Sequence, residues 1–145
     1  MNTASRTELL KRYDDVGPFS EGRAWARKDG VWFHICHDGT PAYDARYDAV
    51  GPFSEGRAWV KKDRVEFHIC HDGTPAYDAR YDHVGPFSEG RALARKNDDC
   101  FHICHDGTPA YGARYYAVGP FSEGRARAMK DGVWFQIYHN GTRIA

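Results

Sequence analysis

Apolar and polar positions alternate along this chain in short stretches, and no helical period is sustained beyond its first dozen residues. Arg23-Ala24-Trp25-Ala26-Arg27-Lys28 and Val31-Trp32-Phe33-His34-Ile35-Cys36-His37 each put every second side chain on one face. Asp29-Gly30 separates these two segments, and Asp38-Gly39 separates the second from Thr40-Pro41-Ala42-Tyr43. Asp-Gly between alternating segments is a hairpin signal, because a type I′ turn needs positive φ at both central residues. Two such turns predict a three-stranded antiparallel meander. The following stretch, Tyr47–Gly56, is punctuated by Gly-Pro and Glu-Gly and carries the connection onward, with room for a short fourth strand.

The whole pattern then recurs. Val-Gly-Pro-Phe-Ser-Glu-Gly begins at Val16, Val50, Val84 and Val118, each start 34 residues after the last. A fixed period of this size means one supersecondary unit stacked on copies of itself. The fold class expected is therefore all-β: tandem 34-residue antiparallel meanders in an open, twisted, solenoid-like stack. A small closed four-bladed propeller-like array is the alternative, since the two ends of the chain complement each other in repeat phase. Residues 1–12 read as an N-terminal cap and 13–145 as four repeats. Ser5 and Glu8 fit a capping box for a short helix ending near Arg12, from which Leu9 and Leu10 would cover the open edge of the first unit.

Alternation assigns faces. Ala24 and Ala26, with Phe33 and Ile35, recur in the later copies as the expected core rows, with Val60 the one replacement. Trp32, His34 and Cys36 then point away from that core. Their face varies: the Trp25 position reads Trp25, Trp59, Leu93, Arg127, and the Trp32 position reads Trp32, Glu66, Cys100, Trp134. The first turn becomes Asp63-Arg64 and Asn97-Asp98 in two copies, and Arg at positive φ costs about 1 kcal/mol. The second turn stays Asp-Gly or Asn-Gly throughout, so the second hairpin is expected to be the better defined.

Composition narrows the function classes. Twenty Lys and Arg balance twenty Asp and Glu, so no net field favours nucleic acid or acidic lipid. No apolar run approaches the ~20 residues needed to span a bilayer. Thr3–Glu8 lack the apolar core of a signal peptide, and a cytoplasmic location is the expectation. In a reducing compartment Cys36, Cys70, Cys100 and Cys104 are expected to be free thiols.

Tyr-Asp-x-Val-Gly-Pro-Phe-Ser-Glu-Gly-Arg-Ala, then Lys-Asp-Gly-Val-Trp-Phe-His-Ile, then Asp-Gly-Thr-Pro, resembles the WG β-repeats of bacterial proteins across Tyr13–Gly141. The naming Trp-Gly dipeptide is absent: Trp32-Phe33, Glu66-Phe67, Cys100-Phe101 and Trp134-Phe135 stand in its place. The resemblance implies β-rich binding or scaffolding modules, no enzymatic activity, no cofactor and no catalytic residue to carry over.

Three functional readings follow. Trp25, Trp32, Trp59 and Trp134, with Tyr43, Tyr77 and Tyr111, are candidate contact residues for a protein partner. The same aromatics suit stacking on a glycan or cell-wall polymer, where weak sites multiply by avidity. His34/Cys36, His68/Cys70 and His102/Cys104 carry ligand types that zinc or copper(I) would choose. Each pair is about 7 Å apart along a strand, so convergence on one ion needs help from a neighbouring copy. Ser20, His34 and Asp38 have triad residue types, but each recurs along the chain and no one set is singled out as a unique site. The Arg23/57/91/125 and Glu21/55/89/123 rows are expected to form ion-pair ladders between units.

Overall fold

The computed structural model describes residues 3–144. Met1, Asn2 and Ala145, the extremes of the cap and repeat regions, lie outside the described residues. Helix α1 (Arg6–Arg12) begins at a capping box. Ser5 Oγ accepts from the Glu8 N–H at 3.2 Å, and the Glu8 carboxylate accepts from the Ser5 N–H at 3.4 Å. Twelve strands follow: β1 (Asp15–Val16), β2 (Ala24–Lys28), β3 (Val31–Ile35), β4 (Ala49–Val50), β5 (Ala58–Lys62), β6 (Val65–Ile69), β7 (His83–Val84), β8 (Ala92–Lys96), β9 (Asp99–Ile103), β10 (Ala117–Val118), β11 (Ala126–Lys130) and β12 (Val133–Ile137).

These strands form four separate three-stranded antiparallel sheets, β1-β2-β3, β4-β5-β6, β7-β8-β9 and β10-β11-β12. None closes on itself, and the array is open. In each sheet the long hairpin keeps the same register, Ala24 opposite Ile35 and Lys28 opposite Val31 in the first. Every long hairpin closes through a turn with two positive φ values: Asp29 and Gly30 at 52° and 82°, Asp63 and Arg64 at 53° and 72°, Asn97 and Asp98 at 53° and 72°, Asp131 and Gly132 at 54° and 77°. Cross-strand packing therefore holds the turn even where Arg64 replaces glycine.

Two expectations are corrected here. The third meander strand does not form. Thr40–Tyr43 meets β3 in a single bridge, Ile35 to Pro41, flanked by Cys36 N–H to Thr40 C=O at 2.8 Å and Ala42 N–H to His34 C=O at 2.9 Å, and the ladder goes no further. The third strand of each sheet is instead the short pair at the start of the Val-Gly-Pro-Phe segment. The first hairpin, not the second, is the complete one in all four units.

Sheets join through backbone. Trp32 and Tyr47 exchange two N–H···O bonds of 2.9 Å, and Glu66–Tyr81 and Cys100–Tyr115 do the same. The Ala and Phe–Ile rows are buried as expected except for the half-buried Phe135: Ala26, Val60, Ala94, Ala128, Ile35, Ile69, Ile103 and Ile137 are fully enclosed. The opposite face of the first three long hairpins is also largely covered, which alternation alone does not predict; in the fourth, Arg127, Trp134 and Gln136 are exposed. His34, His68 and His102 have no exposed surface. At the N-terminal end α1 buries Leu9 but leaves Leu10 exposed, so one leucine of the pair serves as the cap.

Candidate interaction surface and the buried histidine relay

Each of the first three units builds the same polar relay. His34 sits on β3 with both ring nitrogens engaged: Nδ1 is 2.6 Å from the Tyr43 hydroxyl and Nε2 is 2.8 Å from the Gly51 carbonyl. A carbonyl only accepts, so Nε2 carries the proton and Nδ1 accepts from the tyrosine O–H. His68 repeats this with Tyr77 and Gly85, and His102 with Tyr111 and Gly119. The carbonyl belongs to the next unit, so the relay ties neighbours together. Burial disfavours the charged imidazole and lowers each of these histidines to about 4, against an ordinary 6.5. The same burial raises the Tyr43, Tyr77 and Tyr111 hydroxyls.

This geometry reassigns several predicted site residues. Tyr43 and Tyr77 are buried and Tyr111 is half-buried, all committed to the relay rather than presented to a partner. With both nitrogens used, His34, His68 and His102 have no free lone pair for an ion. Cys36, Cys70 and Cys104 lie half-buried as free thiols on the following residues. Among the described residues no three His, Cys, Asp or Glu side chains converge to hold a metal. The sequence contains a cue to the relay: Tyr follows His by nine residues in three copies, and the fourth has Gln136 with Ala145 in the tyrosine's position.

The glutamate row is not an ion-pair ladder with arginine. The Glu21 carboxylate accepts from the Gly56 N–H of the next unit at 2.9 Å and lies 3.2 Å from His71 Nε2. Glu55 and Glu89 do the same with Gly90 and His105, and with Gly124 and His139. Ser20, Ser54 and Ser88 each donate to a phenylalanine carbonyl one unit on, at 2.7–2.9 Å. Tyr47, Tyr81 and Tyr115 donate from their hydroxyls to the carbonyls of Gly73, Gly107 and Gly141. Those glycines need their positive φ, and a side chain on Gly73 would collide with the Tyr43 ring.

The tryptophans lie on the variable face of the long hairpins. The Trp25 and Trp32 rings lie 5.0 Å apart, with Arg27 5.8 Å from Trp32. Both are half-buried. Trp25 covers Gly17 and Trp59 covers Gly51, where any Cβ would fall within 2.1 Å of an indole atom. One unit on, the Trp32 position holds Glu66, which accepts from the Val84 N–H at 3.1 Å and pairs with His83 at 2.9 Å. The third unit presents Leu93 and Cys100, whose thiol is pushed up by burial. The fourth presents Trp134, 45% exposed, under the Arg127 guanidinium at 4.3 Å. The structure thus brings Trp25 and Trp32 together and sets Trp59 and Trp134 at matching places on other units.

The family model described as WG containing repeat matches the chain four times, over residues 5–32, 37–64, 71–99 and 105–134. Among solved structures the chain is similar to one titled "KlHsv2 with loop 6CD replaced by a Gly-Ser linker", a β-propeller-like structure. The TM-score is 0.60 at 10% identity, covering 90% of this chain and 51% of that one. The chain therefore spans about half the length of that structure, and the likeness is one of fold. No curated protein matches. No helix among the described residues is long and apolar enough to cross a membrane.

Proposed function

The chain belongs to the family of WG-containing repeats, and on that premise we propose that it is a non-catalytic repeat module acting as a protein-interaction scaffold. One observation carries this reading. The same two adjacent positions hold Trp–Trp, Trp–Glu, Leu–Cys and Arg–Trp in successive units, on one repeated backbone. A polymer of identical sugars is best met by identical pockets in register. A row whose chemistry changes from aromatic to acidic to aliphatic to cationic suits a partner whose own surface changes along its length, as a folded protein's does. Half-exposed tryptophans backed by arginine are the side chains that dominate such contacts. The polar groups with the largest departures from ordinary acidity are used inside the relay, between units, and not in a cleft. That supports a structural role for them over a catalytic one.

The test is quantitative capture of protein partners on the immobilised chain and on a Trp25→Ala/Trp32→Ala variant, alongside a glycan array. The proposal expects at least one protein whose capture falls about tenfold on the double substitution. Capture that ignores both tryptophans, together with a glycan retained by all units, overturns it.

A further inference from the structure

The four units are near copies, and several of their departures from one another meet at one corner. Between the third and fourth units, Asp98 and Asp99 stand where the first unit has Gly30 and Val31. Tyr116 takes the place of Asp14, Asp48 and Asp82, and Met129 that of Arg27, Lys61 and Arg95. These four residues line a cavity of about 500 Å³, together with Arg114, Lys130 and Asp131. In the first three units the aspartate that Tyr116 replaces braces the turn of the long hairpin. Its carboxylate accepts from the backbone N–H of Asp29, Asp63 and Asn97 at 2.9–3.1 Å. Tyr116 is 75% exposed and supplies no such brace, so the Asp131 N–H has no acceptor among the described residues.

The charge of the corner also changes sign. At the equivalent positions of the first junction Arg46, Lys61, Lys62 and Arg64 outnumber Asp48 and Asp63. At the second junction Arg64, Arg80, Arg95 and Lys96 outnumber Asp82 and Asp98. At the third, Arg114 and Lys130 stand against Asp98, Asp99 and Asp131, and the carboxylates prevail. Arg114 is moreover engaged elsewhere. Its Nη1 donates to the carbonyls of Tyr111, Gly112 and Ala113 at 3.0–3.1 Å, and its guanidinium lies 4.0 Å from the Phe101 ring centre. None of the three carboxylates makes a hydrogen bond or an ion pair among the described residues. The cavity therefore joins unpaired negative charge, an exposed aromatic face and a flexible apolar side chain, Met129, with one free backbone donor.

We infer that this corner takes a lysine of a protein partner. The ammonium sits between Asp98, Asp99 and the Tyr116 ring, the alkyl stem lies along Met129, and a backbone carbonyl of the partner accepts from the Asp131 N–H. An ammonium gains both from unpaired carboxylates and from the face of an aromatic ring. The four-carbon stem of lysine covers apolar surface while its charge stays at a polar one. A simple amine satisfies the carboxylates but leaves the Asp131 N–H bare, whereas a peptide brings the carbonyl with the charge. The inference rests on the scaffold reading for the source of its lysine, and it uses none of the tryptophans.

Titration of the intact, 15N-labelled chain with Nα-acetyl-lysine methylamide, followed by amide chemical shifts, tests it. Saturable shifts at Asp98, Asp99, Tyr116 and Asp131 with a Kd of about 1 mM are expected. The Nε-acetylated compound, which lacks the charge, is expected to bind about tenfold more weakly or worse. Asp98→Gly/Asp99→Val gives the third unit the pair that the first unit folds with, and is expected to weaken binding about tenfold with the remaining spectrum unchanged. Tyr116→Ala is expected to weaken it about threefold. No shift at these amides by about 50 mM overturns the proposal. So does equal binding of the Nε-acetylated compound, or binding indifferent to the double substitution. Butylammonium binding as tightly as the lysine amide overturns the part given to the Asp131 N–H. Trp25→Ala/Trp32→Ala is expected to leave this titration unchanged, so a failure of the tryptophan row and a failure of this corner are told apart.

Discussion

The three buried imidazoles make stability steeply dependent on acid. Their folded-state pKa is about 4, against an ordinary 6.5 for an exposed histidine. A depressed folded value means that the stability from neutral His34, His68 and His102 is fully present above about pH 6.5 and is lost as pH falls through 4. At pH 5 the unfolded chain holds these three rings charged while the folded chain holds them neutral. Unfolding then takes up about three protons, a slope of about 4 kcal/mol per pH unit. Integrated from pH 7 to pH 5, the loss is about 2 kcal/mol per histidine and about 6 kcal/mol for the three. That compares with the whole stability of a typical domain, about 5–15 kcal/mol. Asp38, Asp72 and Asp106, held below the usual carboxylate range by their threonine neighbours, stay ionised in both states across this window and do not offset it. Urea unfolding followed by tryptophan fluorescence at pH 7, 6 and 5 reads the slope directly. His102→Gln, which places in unit three the residue that unit four carries at Gln136, is expected to reduce the slope by about a third. A stability that changes by less than about 1 kcal/mol between pH 7 and pH 5 refutes the reasoning.

Three further outcomes follow from single contacts. Tyr77→Phe removes the hydroxyl that donates to His68 Nδ1, leaves a buried acceptor bare and costs about 1–3 kcal/mol, read by urea denaturation at pH 7. Gly107→Ala combines a φ of +84° with a Cβ 2.3 Å from the Tyr77 ring, so it destabilises by more than about 1 kcal/mol and lowers the melting temperature. Arg64→Gly relieves a positive φ of 72° in the β5–β6 turn and raises stability by about 1 kcal/mol; a neutral or lower melting temperature contradicts the assigned turn.

How much of this was legible in the sequence depends on whether local or non-local chemistry decided each element. The long hairpins were legible because turn residues fix them locally, and even Asp63-Arg64 keeps its φ pair when the flanking alternation is intact. The third strand was misplaced because Thr40–Tyr43 holds to β3 through one bridge alone, while the segment at Ala49–Val50 looks like a connection and becomes a strand only through pairing with Val60 and Lys61. His34 lies on the face that alternation assigns to it, and it was the exposure of that face that was misjudged. Alternation tells which residues share a side, not whether a second layer covers that side. In this array the next unit's Phe53 and the same unit's Tyr43 cover it, so the histidine that pattern reading offered to a metal is a neutral link between buried groups. The tryptophan row is the variable one, half-buried at Trp25, Trp32 and Trp59, buried at Glu66 and exposed at Trp134. The repeat therefore separates two kinds of position by physics: those held fixed by a relay that spans the junction, and those outside it, where each unit is free to differ.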